Sequence, residues 1–376
     1  MLAIFALTIG SFAIGVTEFV IMGLLQMMSS DLNVSIDIAG WLITGYAFGV
    51  AFGGPVIMIM LLKMNQKKAL LILMGIFVLG SIASAVSSNY TLLMLARIIS
   101  SLAHGCFFGI GAVLATSLVP KEKQASAIAL MFMGLNVANI IGVPIGTFIG
   151  QAFGWRATFW FVTFLGVVSF VAVKFLVPNK KNEGGHDLKA EFKGVLEFPV
   201  LMGFLATIFS FCAVFTTLSY IAPILTETTM FPAYFIGWIL LIFGVGVTLG
   251  NSLGGKLWDK NGIASLFWIT FAVAITYLLL SFVSPYKIPI VLTIFIWGVV
   301  SFAACPGLQM NVVNSAKSAP NLASTFNISA FNIGNGLGAI FGGLVIRNGL
   351  SFNFIPLVSC ISALIALFFV WLGRKK

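Results

Sequence analysis

Charge is scarce in this chain. Of 376 residues, Asp, Glu, Lys and Arg together make up 8%, against about 25% in an ordinary soluble domain. So few charges cannot solvate a globular surface of that size, which excludes a soluble protein, a disordered chain and a coiled coil. Histidine is rarer, with 2 copies, and cysteine has 4. Cys106, Cys212, Cys305 and Cys360 sit far apart in apolar runs without a CxxC pair, so they are expected to pack as small hydrophobes. No disulfide framework and no metal site follow. HExxH does not occur, and the one GxSxG match, Gly250–Gly254, lies within an apolar run rather than after a strand, so nothing supports a membrane enzyme. The net charge of +10 does not signal nucleic acid, because no polar segment is long enough to form a basic domain.

What the chain does have is apolar length. Hydrophobic residues make up 60%, with 37 Phe, and the mean hydropathy is +1.11. Twelve apolar segments are expected, at 2–27, 39–62, 69–88, 91–116, 125–150, 157–177, 198–226, 234–257, 264–283, 287–311, 319–345 and 350–372. Each is near the ~20 residues that span a bilayer as a helix. Strands of a membrane barrel would instead alternate apolar and polar residues. Backbone groups in hydrocarbon must be satisfied internally, so each segment reads as a helix and the fold as an all-α integral membrane protein. The N-terminus has no basic n-region and no small-residue cleavage site, so no signal peptide is expected. A short leading segment is expected to be missing, since the chain begins almost inside its first span.

The basic residues orient these spans. Sixteen fall in one set of connections and at the C-terminus: Lys63, Lys67, Lys68, Lys121, Lys123, Lys174, Lys180, Lys181, Lys189, Lys193, Lys256, Lys260, Lys317, Arg374, Lys375 and Lys376. Three, Arg156, Lys287 and Arg347, fall in the other set, and Arg97 lies inside a span. Positive charge accumulates on the cytoplasmic side, which puts both termini there. The longest polar stretch, 178–197, reads as a cytoplasmic linker, partly helical near Leu188–Leu196. It divides the chain into six-span halves at 1–177 and 198–376.

The halves resemble each other at an offset of 196. Asn136 then meets Asn332, Asn139 meets Asn335, Gly142 meets Gly338 and Gly146 meets Gly342. Lys63 meets Asp259 at the same offset. Six spans per half make this a parallel repeat about the membrane normal. Ala138, Gly142, Gly146 and Gly150 recur every fourth residue, as do Gly334, Gly338 and Gly342, a stripe that lets helix backbones approach closely.

These motifs resemble the major facilitator superfamily, specifically its drug and sugar proton antiporters and their sugar efflux permease branch. The segment GLNVANIIGVPIG matches the antiporter signature of span five at Gly134, Gly142, Pro144 and Gly146. Gly255, Asp259, Lys260 and Gly262 fit the cytoplasmic loop pattern G-x-x-x-D-[RK]-x-G. Arg97 occupies the arginine position of the span-four signature, and the strings GVTEFVIMG and HGCFFG are similar to the sugar efflux branch. The first cytoplasmic loop departs from the pattern in lacking an acidic residue. Ser100 and Ser101 also replace the usual glutamine and glycine. The resemblance implies two six-helix bundles that alternate access to a midplane cavity. It also implies a small-molecule substrate, protons as the coupling ion, no other cofactor, and a monomer in the bacterial inner membrane.

Three ionisable residues (leaving Cys and Tyr aside) lie well inside spans: Glu18, Arg97 and His104. A charge at the bilayer centre costs about 2.5–3.5 kcal/mol on insertion scales, so each is a functional candidate. Arg97 and His104 are seven residues apart, which leaves them about 20° out of line on one helix face. Glu18 and Arg97 lie at similar depths from the outer ends of their spans, so the two can pair directly or across water. A carboxyl raised by burial and lowered by a nearby guanidinium can load and release a proton. Glu18 is therefore the expected coupling carboxylate, and His104 a relay or a substrate ligand.

Met22, Tyr46, Asn136, Asn139, Thr217, Tyr220, Phe331, Asn332 and Asn335 are the expected substrate-contacting groups. They mix amide and hydroxyl groups with adaptable apolar surface. The string GNSLGGK at Gly250–Lys256 imitates a phosphate loop, but Leu257 stands where Ser or Thr is required. No nucleotide is expected.

Overall fold

The computed structural model describes residues 2–61, 64–120, 124–179, 194–316 and 320–374. Ten of the sixteen orienting cations lie outside those residues: Lys63, Lys121, Lys123, Lys180, Lys181, Lys189, Lys193, Lys317, Lys375 and Lys376. So does most of the 178–197 linker. Among the described residues, 12 helices are long and apolar enough to cross a membrane. In chain order they are α1 (Leu2–Asp31), α2 (Ile36–Gly53, continuing as Gly54–Leu61), α3 (Gln66–Val86) and α4 (Tyr90–Ser117). There follow α5 (Gln124–Val137, Ala138–Gly142 and Val143–Phe153), α6 (Trp155–Leu176), α7 (Phe198–Leu218) and α8 (Phe235–Asn261). Last come α9 (Ile263–Val283), α10 (Lys287–Ser315), α11 (Pro320–Arg347) and α12 (Ile355–Gly373).

Helix starts follow local chemistry. The Asn65 side chain accepts from Lys67 N at 3.0 Å and caps α3, and Asn89 accepts from Leu92 N at 2.9 Å and caps α4. Each bond satisfies one of the four orphan donors of a helix N-terminus. Exposed Phe52, Phe153, Phe175 and Phe282 suit a surface that faces hydrocarbon rather than water.

Three features depart from the sequence expectation. The span read as 198–226 ends as an α-helix at Leu218 and resumes as Ile221–Pro223 and a π-turn at Ile224–Thr228. Pro223 has no N–H to return to the preceding turn, so the helix cannot run on regularly. α5 carries a second unforeseen π-turn, Ala138–Gly142, just before Pro144. The wider turn changes the bonding pattern ahead of the missing proline N–H. α2 has a similar π-turn at Gly49–Gly53.

The chain forms two compact units. One is Met1–Val34 with Gly45–Gly184, the other Ser35–Thr44 with Gly185–Lys376. In the first, α1 packs on α5 and α6, and α3 on α4 and α6; in the second, α7 packs on α11 and α12, and α9 on α10 and α12. The pairings of one unit become those of the other when six is added to each helix number.

The register of the repeat survives at atomic level. A Cβ placed on Gly142 would strike Val16 and one on Gly146 would lie 2.6 Å from Val20, both on α1. One on Gly338 would lie 2.7 Å from Thr216 N and one on Gly342 2.8 Å from Thr216 O, both on α7. Shifting Val20 by the same 196 residues gives Thr216. The glycine stripes are the seams along which α1 meets α5 and α7 meets α11. The phosphate-loop imitation is likewise a packing seam inside α8. A Cβ at Gly250 would sit 2.9 Å from Val299 C, and one at Gly254 2.7 Å from Ala303 Cα, both on α10.

Candidate functional site

The intramembrane charges gather in the first unit, where α1, α2 and α4 each supply one or two side chains. α1 contributes Thr17 and Glu18, α2 contributes Tyr46, and α4 contributes Arg97 and His104 on one face, as the seven-residue spacing requires. All are buried: Arg97 is 1% exposed, Tyr46 2%, His104 5% and Glu18 9%.

Arg97 is held at one edge. Its Nη1 donates to the Thr17 carbonyl at 2.7 Å and lies 3.4 Å from Thr17 Oγ1. The Tyr46 ring covers the guanidinium face, with its centroid 4.2 Å from the central carbon. A desolvated cation–π contact of this kind contributes about 2 kcal/mol, which offsets part of the cost of burying the charge. Arg97 Nε and Nη2 have no hydrogen-bond partner among the described residues.

His104 is the meeting point of the other two groups. Its Nδ1 stands 3.2 Å from the Tyr46 hydroxyl and 3.9 Å from Glu18 Oε2. Phe108 packs against the imidazole with centroids 5.3 Å apart, and Phe132 of α5 packs on Phe108 at 5.0 Å. These rings close one side of the imidazole with apolar surface. An acid, an imidazole, a phenol and a guanidinium thus adjoin in a low-dielectric setting, where charge–charge interactions are strong. The arrangement can hold a proton, hand it on, and respond to a change of charge at one member.

Of the other expected residues, Met22 is buried on α1 one turn from Glu18, Asn139 is buried, and Asn136 is half-buried. Asn139 Nδ2 donates to the Leu135 carbonyl at 3.1 Å. In the second unit, Thr217 Oγ1 bonds Ser359 Oγ at 2.7 Å, and the Tyr220 hydroxyl donates to the Ala339 carbonyl at 2.8 Å. Thr217 ties α7 to α12, and Tyr220 ties the turn after α7 to α11. Asn332 Nδ2 donates to Ile328 O at 3.0 Å, while its buried Oδ1 has no hydrogen-bond partner among the described residues. Asn335 is buried, and Phe331 packs edge-on to Phe211 with centroids 4.3 Å apart.

Gly134 presses against the α1 backbone, where an added Cβ would lie 2.7 Å from Phe12 N. At the end of α8, Gly262 has φ +53° and donates to Trp258 O at 2.7 Å, a helix stop that suits glycine. Asp259 and Lys260 are exposed in the last turn, and Gly255 has no atom within 4 Å of an added Cβ.

Sequence reasoning missed the Thr17 carbonyl as the anchor of Arg97, because a backbone acceptor leaves no residue signature. It also missed a clasp at the end of α1. Asp31 Oδ2 accepts from Trp155 Nε1 at 3.0 Å and Arg156 Nη1 at 2.7 Å, and Arg156 Nε donates to Ser87 O at 3.0 Å. The adjacent Trp155 and Arg156 after Gly154 were the available signal.

Comparison with known proteins agrees with this architecture. The family model described as Major Facilitator Superfamily matches residues 7–328. The Escherichia coli (strain K12) inner membrane transport protein YdhP is 42% identical over 371 residues, covering 99% of this chain and 95% of that protein. A "probable sugar efflux transporter" of Helicobacter pylori is 32% identical over 382 residues, covering 100% and 97%. Among solved structures, a D-xylose-proton symporter superposes with a TM-score of 0.82 at 16% identity, over 98% of this chain and 96% of that one. At that identity the likeness is one of fold.

Proposed function

The chain belongs to the Major Facilitator Superfamily, a family of membrane transporters and not of enzymes, and we propose that it exports a small solute in exchange for protons. The observation that carries this reading is the burial of Glu18 beside His104, with Arg97 anchored one residue away on the Thr17 carbonyl. A scaffold or sensor has no need of such costly charges. Glu18 is the coupling carboxylate, His104 the relay, and Arg97 the fixed charge that tunes them. Transport proceeds by alternating access, with the antiporter-like Gly134–Gly146 segment as the family argument for exchange rather than symport.

The exported solute is sugar-like or an amphiphilic drug-like molecule. Support comes from the name of the Helicobacter pylori relative and from the buried Asn332 Oδ1, which has no partner among the described residues and can accept from a solute hydroxyl. The protein acts as a monomer in the bacterial inner membrane with both termini cytoplasmic, a placement supported by the name of the Escherichia coli relative and the distribution of Lys and Arg. Asp259 and Lys260 help keep the cytoplasmic side closed.

Inverted membrane vesicles acidified inside test the direction. Radiolabelled D-xylose, adenosine and tetraphenylphosphonium are the probes, chosen first by thermal shift on the purified protein. Accumulation of a stabilising probe that a protonophore abolishes is expected. Accumulation instead in right-side-out vesicles under an inward proton gradient establishes uptake. No stabilisation and no flux with any probe establishes a non-transporting role.

A further inference from the structure

Nδ1 of His104 faces two groups and cannot accept from the first while donating to the second. The Tyr46 hydroxyl is 3.2 Å away and Glu18 Oε2 is 3.9 Å away. A ring nitrogen either carries a proton and donates or offers a lone pair and accepts. When Tyr46 donates to Nδ1, the lone pair is occupied and the imidazole proton sits on Nε2. When Nδ1 carries the proton, it can donate to the Glu18 carboxylate, and the Tyr46 hydroxyl hydrogen has no lone pair to meet. The two bonds exclude each other.

We propose that Tyr46 is the positioning residue of the proton path: its hydroxyl donates to Nδ1, holds His104 as the Nε2–H tautomer, and withholds Nδ1 from Glu18 until a proton arrives. The hydroxyl is the shorter contact, and the tyrosine has little freedom. Its ring is 2% exposed and lies face-on to Arg97 at 4.2 Å, and Arg97 is itself tied to Thr17. The other groups facing the imidazole are Glu18 from α1 and Arg97 from α4, while α4 and α5 bring the apolar rings of Phe108 and Phe132.

The step balances without a further reactant. A proton added at Nδ1 makes the imidazolium and breaks the Tyr46 bond, with the hydroxyl proton remaining on oxygen. The new N–H points to Glu18 and passes its proton to the carboxylate. The imidazole then returns to the Nε2–H form and takes up the Tyr46 hydroxyl again. This assignment rests on the proton-coupled reading above, and gives Tyr46 a part in the gate rather than in solute binding.

The chain has two histidines, His104 and His186. In full-length His186→Gln protein labelled with ¹⁵N-histidine, the imidazole signals report His104 alone. The expected spectrum at neutral pH is the Nε2–H tautomer. Tyr46→Phe keeps the ring over Arg97 and removes only the hydroxyl, so it should fold, melt somewhat below the parent, and shift the tautomer ratio toward Nδ1–H by about tenfold, the worth of one buried hydrogen bond. An Nδ1–H tautomer in the parent protein overturns the proposal, and so does an unchanged ratio in Tyr46→Phe. Should Tyr46→Phe fail to fold, the parent spectrum still decides. Proton exchange that persists in Glu18→Gln sinks the coupling role of Glu18 and leaves the tautomer result standing, so the two failures are distinguishable.

Discussion

Glu18 Oε2 stands 3.9 Å from His104 Nδ1, with both side chains shielded from water. The separation is slightly longer than a hydrogen bond, so a small rotation of either group makes or breaks the contact. His104 should therefore speed proton transfer without being the final acceptor. His104→Gln is expected to slow probe-driven proton release about 100-fold, within the range for loss of a general acid–base group. Stopped-flow recording of pyranine fluorescence in proteoliposomes measures this, and an unchanged rate removes the relay from the mechanism.

The glycine seams make a prediction about stability alone. Gly338→Val forces methyl groups against Thr216 N and the Phe215 backbone, where an added Cβ already lies 2.7 and 2.9 Å away. Backbone cannot yield as a flexible side chain can, so a loss of about 1–3 kcal/mol is expected, as for overpacking. Gly255→Ala meets nothing within 4 Å among the described residues and should melt no lower than the parent. Thermal unfolding in detergent compares the two, and equal melting temperatures contradict the proposed seam.

The Asp31 clasp should matter modestly. Its ion pair with Arg156 has side chains 38% and 46% exposed, so solvent screens much of the attraction. Asp31→Asn is expected to cost about 1 kcal/mol, with the difference from wild type shrinking in high salt. Thermal melts at low and high ionic strength measure it.

Gly262 provides a sharper backbone test. At φ +53° an added methyl group is strained, so Gly262→Ala should lose about 1 kcal/mol, against no loss for Gly255→Ala seven residues earlier. Equal melting of the two variants removes strain as the reason for glycine there.

How far the sequence foretells the structure depends on the range of the interaction. Twelve helices follow from apolar length, and the repeat from one offset, because both are written in residue types along the chain. The common face of Arg97 and His104 follows from helical geometry. The π-turns at Gly49–Gly53 and Ala138–Gly142 were not anticipated, although each ends two residues before a proline, Pro55 and Pro144, whose missing N–H was the available signal. Nor was the Thr17 anchor, since every residue has a carbonyl. Tyr46 reads from sequence as a solute-contacting group; its bond to His104 depends on how α2 packs against α4, which no spacing within one helix reveals.

The central claim is that protonation of Glu18 is coupled to solute export. The most direct measurement is proton release from pyranine-loaded proteoliposomes on addition of the probe that stabilises the purified protein, with wild type and Glu18→Gln side by side. Loss of the proton signal in Glu18→Gln, with probe-induced stabilisation retained, is the predicted result. Proton release from Glu18→Gln at the wild-type rate would contradict it.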